Sequence, residues 1–162
     1  MARVVERAVA AQDLVAGDGH CDARRQGEDE PVRRGALPAC EIAGRIAEAL
    51  SRDDGAVAWR WLMQFVDDYR GSSPAGRSLL VRTPPPPTGD RGYDAALAAL
   101  VEHLCASNGA PAPGWTDEPE RFAEPWWFVA ALPALRAAAL RDSPISFKRH
   151  GVFLTSRALS RV

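Results

Sequence analysis

His103 and Cys105 are the first residues to examine for chemistry, because imidazole and thiolate are common metal ligands and nucleophile–base partners. They are two positions apart in a stretch with helical periodicity. Residues i and i+2 project about 200° apart around a helix, so the two cannot meet at one metal or one substrate atom. A partly exposed histidine and a buried thiol is the simpler reading. His20-Cys21 has only Cys40 as a companion, and neither Cys-x-x-Cys nor His-x-His occurs. No metal and no cofactor is therefore expected. Asp67 and Asp68 are neighbours, whereas carboxylates that share a helix face sit three or four apart. They read as solvated helix charges, and Asp53-Asp54 reads as a capping pair. There is no Gly-rich phosphate loop, no Gly-x-Ser-x-Gly elbow and no His-Glu-x-x-His. The chain is expected to be non-enzymatic. A small-molecule enzyme with catalytic residues scattered through the fold is the remote alternative.

The residues that stand out are aromatic. Trp115 and Trp126-Trp127-Phe128 lie in a segment punctuated by Pro111, Pro113, Pro119 and Pro125. Proline stiffens the backbone and removes donors. Each tryptophan brings a large apolar area and one N–H that needs an acceptor. Trp59 and Trp115 read as core anchors. Three adjacent rings cannot all point inward, so at least one of Trp126, Trp127 and Phe128 is expected half exposed. Exposed rings on a rigid segment make good interface anchors, and these three are candidate partner-binding residues. Arg149 is the fourth. It belongs to a basic C-terminal stretch, Arg141, Lys148, Arg149, Arg157 and Arg161 against Asp142, interleaved with Phe147, His150 and Phe153. The simpler reading is a solvated face whose arginine stems cover apolar surface. The alternative is a contact for phosphate or an acidic partner.

Composition sets the frame for these residues. The 162 residues carry a net charge of −1, which removes the simplest electrostatic case for nucleic-acid binding. Apolar residues make up 46 %, enough for one ordinary core. The odd, widely spaced cysteines argue against a disulfide framework. No run approaches the roughly 18–20 apolar residues of a membrane span, and a cytoplasmic location is expected.

Residues 1–38 contain few large apolar side chains and mixed charges. They are expected to be disordered, or an extension ahead of the true start, or the remnant of a lost upstream domain. From 39 to 162 a single helical domain is expected. Ile42, Ile46, Ala49 and Leu50 recur at helical spacing. A second helix after Asp53-Asp54 places Trp59, Leu62, Met63, Val66 and Tyr69 on one face, with Asp67 and Asp68 away from it. Ser73-Pro74 opens a third, and Pro84–Pro87 forms a stiff extended connection. Tyr93, Leu97, Leu100, Val101 and Leu104 give the clearest apolar stripe, ended by Asn108-Gly109. Short helices are expected after Pro133 and after Ser143-Pro144, then an extended Val152–Leu154 and a last turn capped by Ser156. The fold class is all-α, an irregular helical bundle with a Pro/Trp-rich loop segment. That segment is expected to lie outside regular structure and to clamp the C-terminal helices onto the Tyr93–Leu104 helix.

Taken in order, Trp59-Arg60-Trp61-Leu62, Pro86-Pro87-Thr88-Gly89-Asp90, Leu97-Ala98-Ala99-Leu100, Pro111-Ala112-Pro113-Gly114-Trp115-Thr116, Pro125-Trp126-Trp127-Phe128, Ser143-Pro144 and Arg149-His150-Gly151-Val152-Phe153-Leu154 resemble a helical domain of small actinobacterial proteins. That domain occurs alone or behind a DNA-binding helix-turn-helix. It is similar to components of toxin–antitoxin loci that carry a nucleotidyltransferase-type toxin. The resemblance covers about residues 40–162. It implies an antitoxin-like interaction domain that binds a protein encoded nearby. Residues 1–38 are too short and polar for a complete helix-turn-helix, so a DNA-associated regulator acting through the basic C-terminal face is the second choice.

Overall fold

A computed structural model of the chain describes residues 32–130 and 132–159. Helix α1 (Ala39–Leu50) buries Ala39, Ile42, Ala43, Ile46 and Ala49 along one side of α2 (Gly55–Arg70). The turn between them needs a left-handed residue, which Asp53 supplies at φ 58°. Asp54 is then the cap, its carboxylate accepting from Val57 N–H at 2.9 Å. Helix α3 (Pro74–Arg82) starts as expected, with Ser73 Oγ accepting from Gly76 N–H and proline in the first turn.

Helix α4 (Arg91–Ser107) is capped by Asp90, whose carboxylate accepts from Tyr93 N–H at 3.0 Å. The expected stripe is buried, but the helix is not amphipathic in the ordinary sense. Ala95, Ala96, Ala98 and Ala99 are also buried, because α4 runs through the middle of the bundle. It touches α1, α2, the C-terminal helix α6 (Ile145–Arg149) and the 3₁₀ turns Gly114–Asp117 and Pro119–Arg121. A helix buried all round from Tyr93 to Val101 needs small residues wherever a neighbour crosses closely, and alanine also has the highest helix propensity.

Helix α2 departs from expectation at two positions. Phe65 is fully buried beside Leu62, Val66 and Tyr69. Asp68, expected in solvent with Asp67, is also buried. Its carboxylate accepts from Leu37 N–H at 3.1 Å, Gln64 Nε2 at 2.8 Å and Arg33 Nη1 at 3.4 Å. Ser72 Oγ accepts from Arg33 N–H and donates to Asp68 O. A buried carboxylate is tolerated because these donors satisfy it. They also tie residues 32–38 to α2, and Val32, Ala36 and Leu37 pack on the core. Residues 1–31 of the expected extension, with His20 and Cys21, lie outside the described residues.

After α4 the chain is irregular. Trp115 is buried, its Nε1 donating to Val81 O at 2.8 Å. Trp127–Phe128 (β1) then pairs in parallel with Val152–Phe153 (β2), Trp127 opposite Val152 and Phe128 opposite Phe153. This corrects the expectation that these rings sit outside regular structure. Two-residue strands are too short to show a period of two in sequence. They form because Trp127 N–H and Val129 N–H find Gly151 O and Phe153 O, each at 2.9 Å. The 3₁₀ turn Pro133–Leu135 leads into α5 (Arg136–Asp142), and a last turn spans Ser156–Leu159. The side chain of Ser156, the expected cap, lies outside the described ones. The architecture is all-α, an irregular bundle around α4, with one short parallel strand pair among the described residues.

Candidate docking surface

The three candidate rings go to three environments. Trp126 is 64 % exposed, with one edge against Phe153 at 5.1 Å between centroids. Trp127 is half-buried and lies on the first turn of α4, 5.0 Å from the Tyr93 ring. The approach is close enough that a Cβ added at Gly92 would stand 2.8 Å from Trp127 Cδ2, so only glycine fits there. Phe128 is half-buried, stacked on Phe153 at 5.1 Å, with the Arg136 guanidinium 5.2 Å above its ring. Phe153 itself is buried. One ring thus clamps α4, one fills a partly covered slot, and one faces outward.

Trp126 is not isolated. Leu132 and Ile145 are 65 % and 84 % exposed, and Leu135 and Leu140 are also exposed. Of the six exposed large apolar side chains among the described residues, five fall between 126 and 145; Leu79 is the exception. Scattered exposed leucines need no explanation, but five exposed large apolar side chains within twenty residues of one small domain do.

Arg149 behaves differently. Its Nη1 donates to Glu102 Oε2 at 2.8 Å and its Nη2 to Asp117 Oδ1 at 2.6 Å. The bond to Asp117, then the one to Glu102, raises the guanidinium pKa. The same Glu102 oxygen lies 2.8 Å from Nε2 of His150, whose ring is fully buried and stacked on Phe122. On the other side of that ring, Nδ1 lies 2.7 Å from Arg121 O. A carbonyl only accepts, so Nδ1 donates there. Nε2 faces the Glu102 carboxylate at 2.8 Å. Glu102 on α4, Asp117 on a 3₁₀ turn and Arg149-His150 at the end of α6 thus form one polar pin through the C-terminal layer. The imidazole is fully buried, and the pin joins α4 to the end of α6. Nothing in sequence spacing links Glu102 to residues 149 and 150; the fold alone joins them.

Two more members of the basic stretch are also engaged. Arg141 Nε donates to Asp142 Oδ1 at 2.8 Å, which raises its pKa, and Lys148 Nζ donates to Arg141 O at 3.0 Å. Arg161 lies outside the described residues. His103 is half-buried, and burial, followed by the nearby Arg70 charge, lowers its pKa. Cys105 is buried and accepts from Tyr69 Oη at 3.7 Å. The two do not share a site, as their spacing implies. Among the described residues no cluster of three or more His, Cys, Asp or Glu side chains is placed to hold a metal. No described helix is long and apolar enough to cross a membrane. Comparison of the chain with protein-family models, with curated proteins and with solved structures found no match.

Proposed function

We propose that this chain is a non-enzymatic, antitoxin-like interaction domain that docks a partner protein through the layer from Trp126 to Ile145. The observation that carries this reading is the concentration of exposed apolar side chains there, led by Trp126, Leu132 and Ile145. Each withheld from water on association contributes at about 25 cal/mol per Å² of apolar area, and aromatic anchors dominate such interfaces. Trp126 is held ready by its contact with Phe153, so little side-chain freedom is lost on docking. The resemblance to toxin–antitoxin components adds the kind of partner, a protein encoded beside this one.

Arg149 enters this reading as a positioning residue. Its guanidinium is occupied by Glu102 and Asp117, so it holds the layer together rather than reaching out. The same pairing lowers support for the DNA-associated alternative, because Arg141, Lys148 and Arg149 already have intramolecular partners.

Co-expression with the product of the adjacent gene, followed by gel filtration, tests the proposal. A co-eluting complex is expected, and Trp126→Ala should break it while the free domain stays folded. Independent elution of the two proteins, with the neighbour's toxicity unrelieved, would falsify the docking role. Binding to duplex DNA that weakens steeply with salt would favour the alternative instead.

A further inference from the structure

A cavity of about 410 Å³ lies between the extended segment at Pro87–Gly89, the first turn of α4 and the turn Pro119–Arg121. Its volume falls within the roughly 300–1,000 Å³ typical of small-molecule sites. Two of its charged walls are buried. Arg121 is 6 % exposed, its guanidinium 5.4 Å from the Trp115 ring and its Nη2 donating to Pro85 O at 2.6 Å. Its Nε is the one buried side-chain polar atom among the described residues without a hydrogen-bond partner. Glu118 Oε2 is 3.5 Å away, close enough for charge attraction but not aligned to accept. Asp94 is 9 % exposed, and Oδ1 accepts from Thr88 N–H at 2.8 Å. The rim carries Glu118, Glu120 and Arg91. Arg91 is already turned to backbone, with Nε donating to Phe122 O at 2.9 Å and Nη2 to Pro119 O at 3.4 Å.

A buried guanidinium with an unmatched N–H is costly, and a native site that keeps one invites an acceptor from outside. A simple anion does not suit the cavity, because Asp94, Glu118 and Glu120 would repel it. A simple cation does not suit it either, because it leaves the Arg121 Nε unmatched. A molecule that carries both charges close together answers both walls. We propose that this cavity binds a small zwitterion of the α-amino-acid class. The carboxylate pairs with Arg121 as Glu118, nearly half exposed, swings aside. The ammonium group pairs with Asp94 and Glu120. Pro87 offers apolar wall, and the space beside Gly89 is open, with nothing within 4 Å of where a Cβ would stand. The cavity is lined by other residues than the exposed rings of the docking layer, and neither proposal depends on the other.

The test is titration of the full chain, followed through the Arg121 Nε–H resonance, with a panel of L-amino acids at millimolar concentration. Pentylamine and hexanoate, which share an alkyl chain with norleucine, serve as single-charge controls. At least one amino acid is expected to bind saturably and to shift that resonance, while both controls bind at least about tenfold more weakly, the value of one charge-assisted hydrogen bond. Asp94→Asn keeps an acceptor for Thr88 N–H but removes the charge, and should weaken the amino acid by about tenfold or more. Glu120→Lys reverses an exposed rim charge and should weaken it in a variant whose fold is undisturbed. The idea is overturned if no amino acid binds, if either control binds as well, or if binding survives both substitutions unchanged.

Discussion

The helices α1 to α4 and the layer after residue 110 hold together by different means. The first region is apolar and local in its logic. The last three helices carry their own caps, Asp54, Ser73 and Asp90, and all four bury aliphatic and aromatic side chains in a shared core. The second has short helices, two-residue strands and many exposed apolar groups. It is attached by rings, by backbone bonds between distant residues and by the Glu102–His150–Arg149–Asp117 pin. A region built the first way tolerates change at its surface and fails when its core is emptied. A region built the second way depends on single polar and aromatic contacts, and leaves apolar surface exposed.

The comparison can be broken most directly at Phe65. Phe65→Ala empties a fully buried site and should cost about 3–5 kcal/mol, lowering the denaturant midpoint of the whole domain. Loss confined to the C-terminal layer would show that the two regions do not unfold together.

Tyr69 probes the same core through pH. Burial, followed by its bond to Cys105, raises its pKa from 10.0 to about 12. The folded state thus holds this proton more tightly than the unfolded chain. Its contribution is complete below pH 10.0 and is lost as pH rises towards about 12. The rise corresponds to roughly 2–3 kcal/mol. Tyr93 is raised as well, by burial and then by Asp90, so tyrosinate absorbance of the folded protein should appear only above the ordinary range. Ordinary titration of both phenols would contradict the buried Tyr69–Cys105 contact.

Glu102→Ala tests the second region. It leaves Arg149 and His150 without their shared acceptor and should cost about 1–3 kcal/mol. Hydrogen exchange should quicken in residues 115–155 before it changes in α1 and α2. Uniform loss of protection would mean that the pin supports the whole bundle rather than its C-terminal layer.

The smallest effect on folding belongs to Trp126→Ala. A ring this exposed should change stability by less than about 0.5 kcal/mol, even with its contact to Phe153. A large destabilisation would make Trp126 a structural residue and remove the main anchor of the proposed interface.

Legibility in the sequence follows the same division. The caps at Asp54, Ser73 and the Asn108-Gly109 stop are signalled by neighbouring residues, and so were readable. The stripe of α4 was readable too, but its alanines read as helix-forming filler rather than as contact surface. Asp68 was misread because its donors at residues 33 and 37 are about thirty positions away. The exposure of one ring among Trp126, Trp127 and Phe128 followed from steric necessity. Which ring it was depended on Gly92 and Tyr93 of α4 offering a seat to Trp127.

By itself the sequence determined the helical class, several helix ends and the main apolar stripes, since periodicity and capping act within a few residues along the chain. Only the tertiary structure decided the partners of Asp68, His150, Arg149 and Arg121, and with them the outward face of Trp126 and the cavity beside Asp94. The physical reason is that buried polar groups must find acceptors and donors wherever the folded chain brings them. No local rule specifies a partner thirty or fifty residues away.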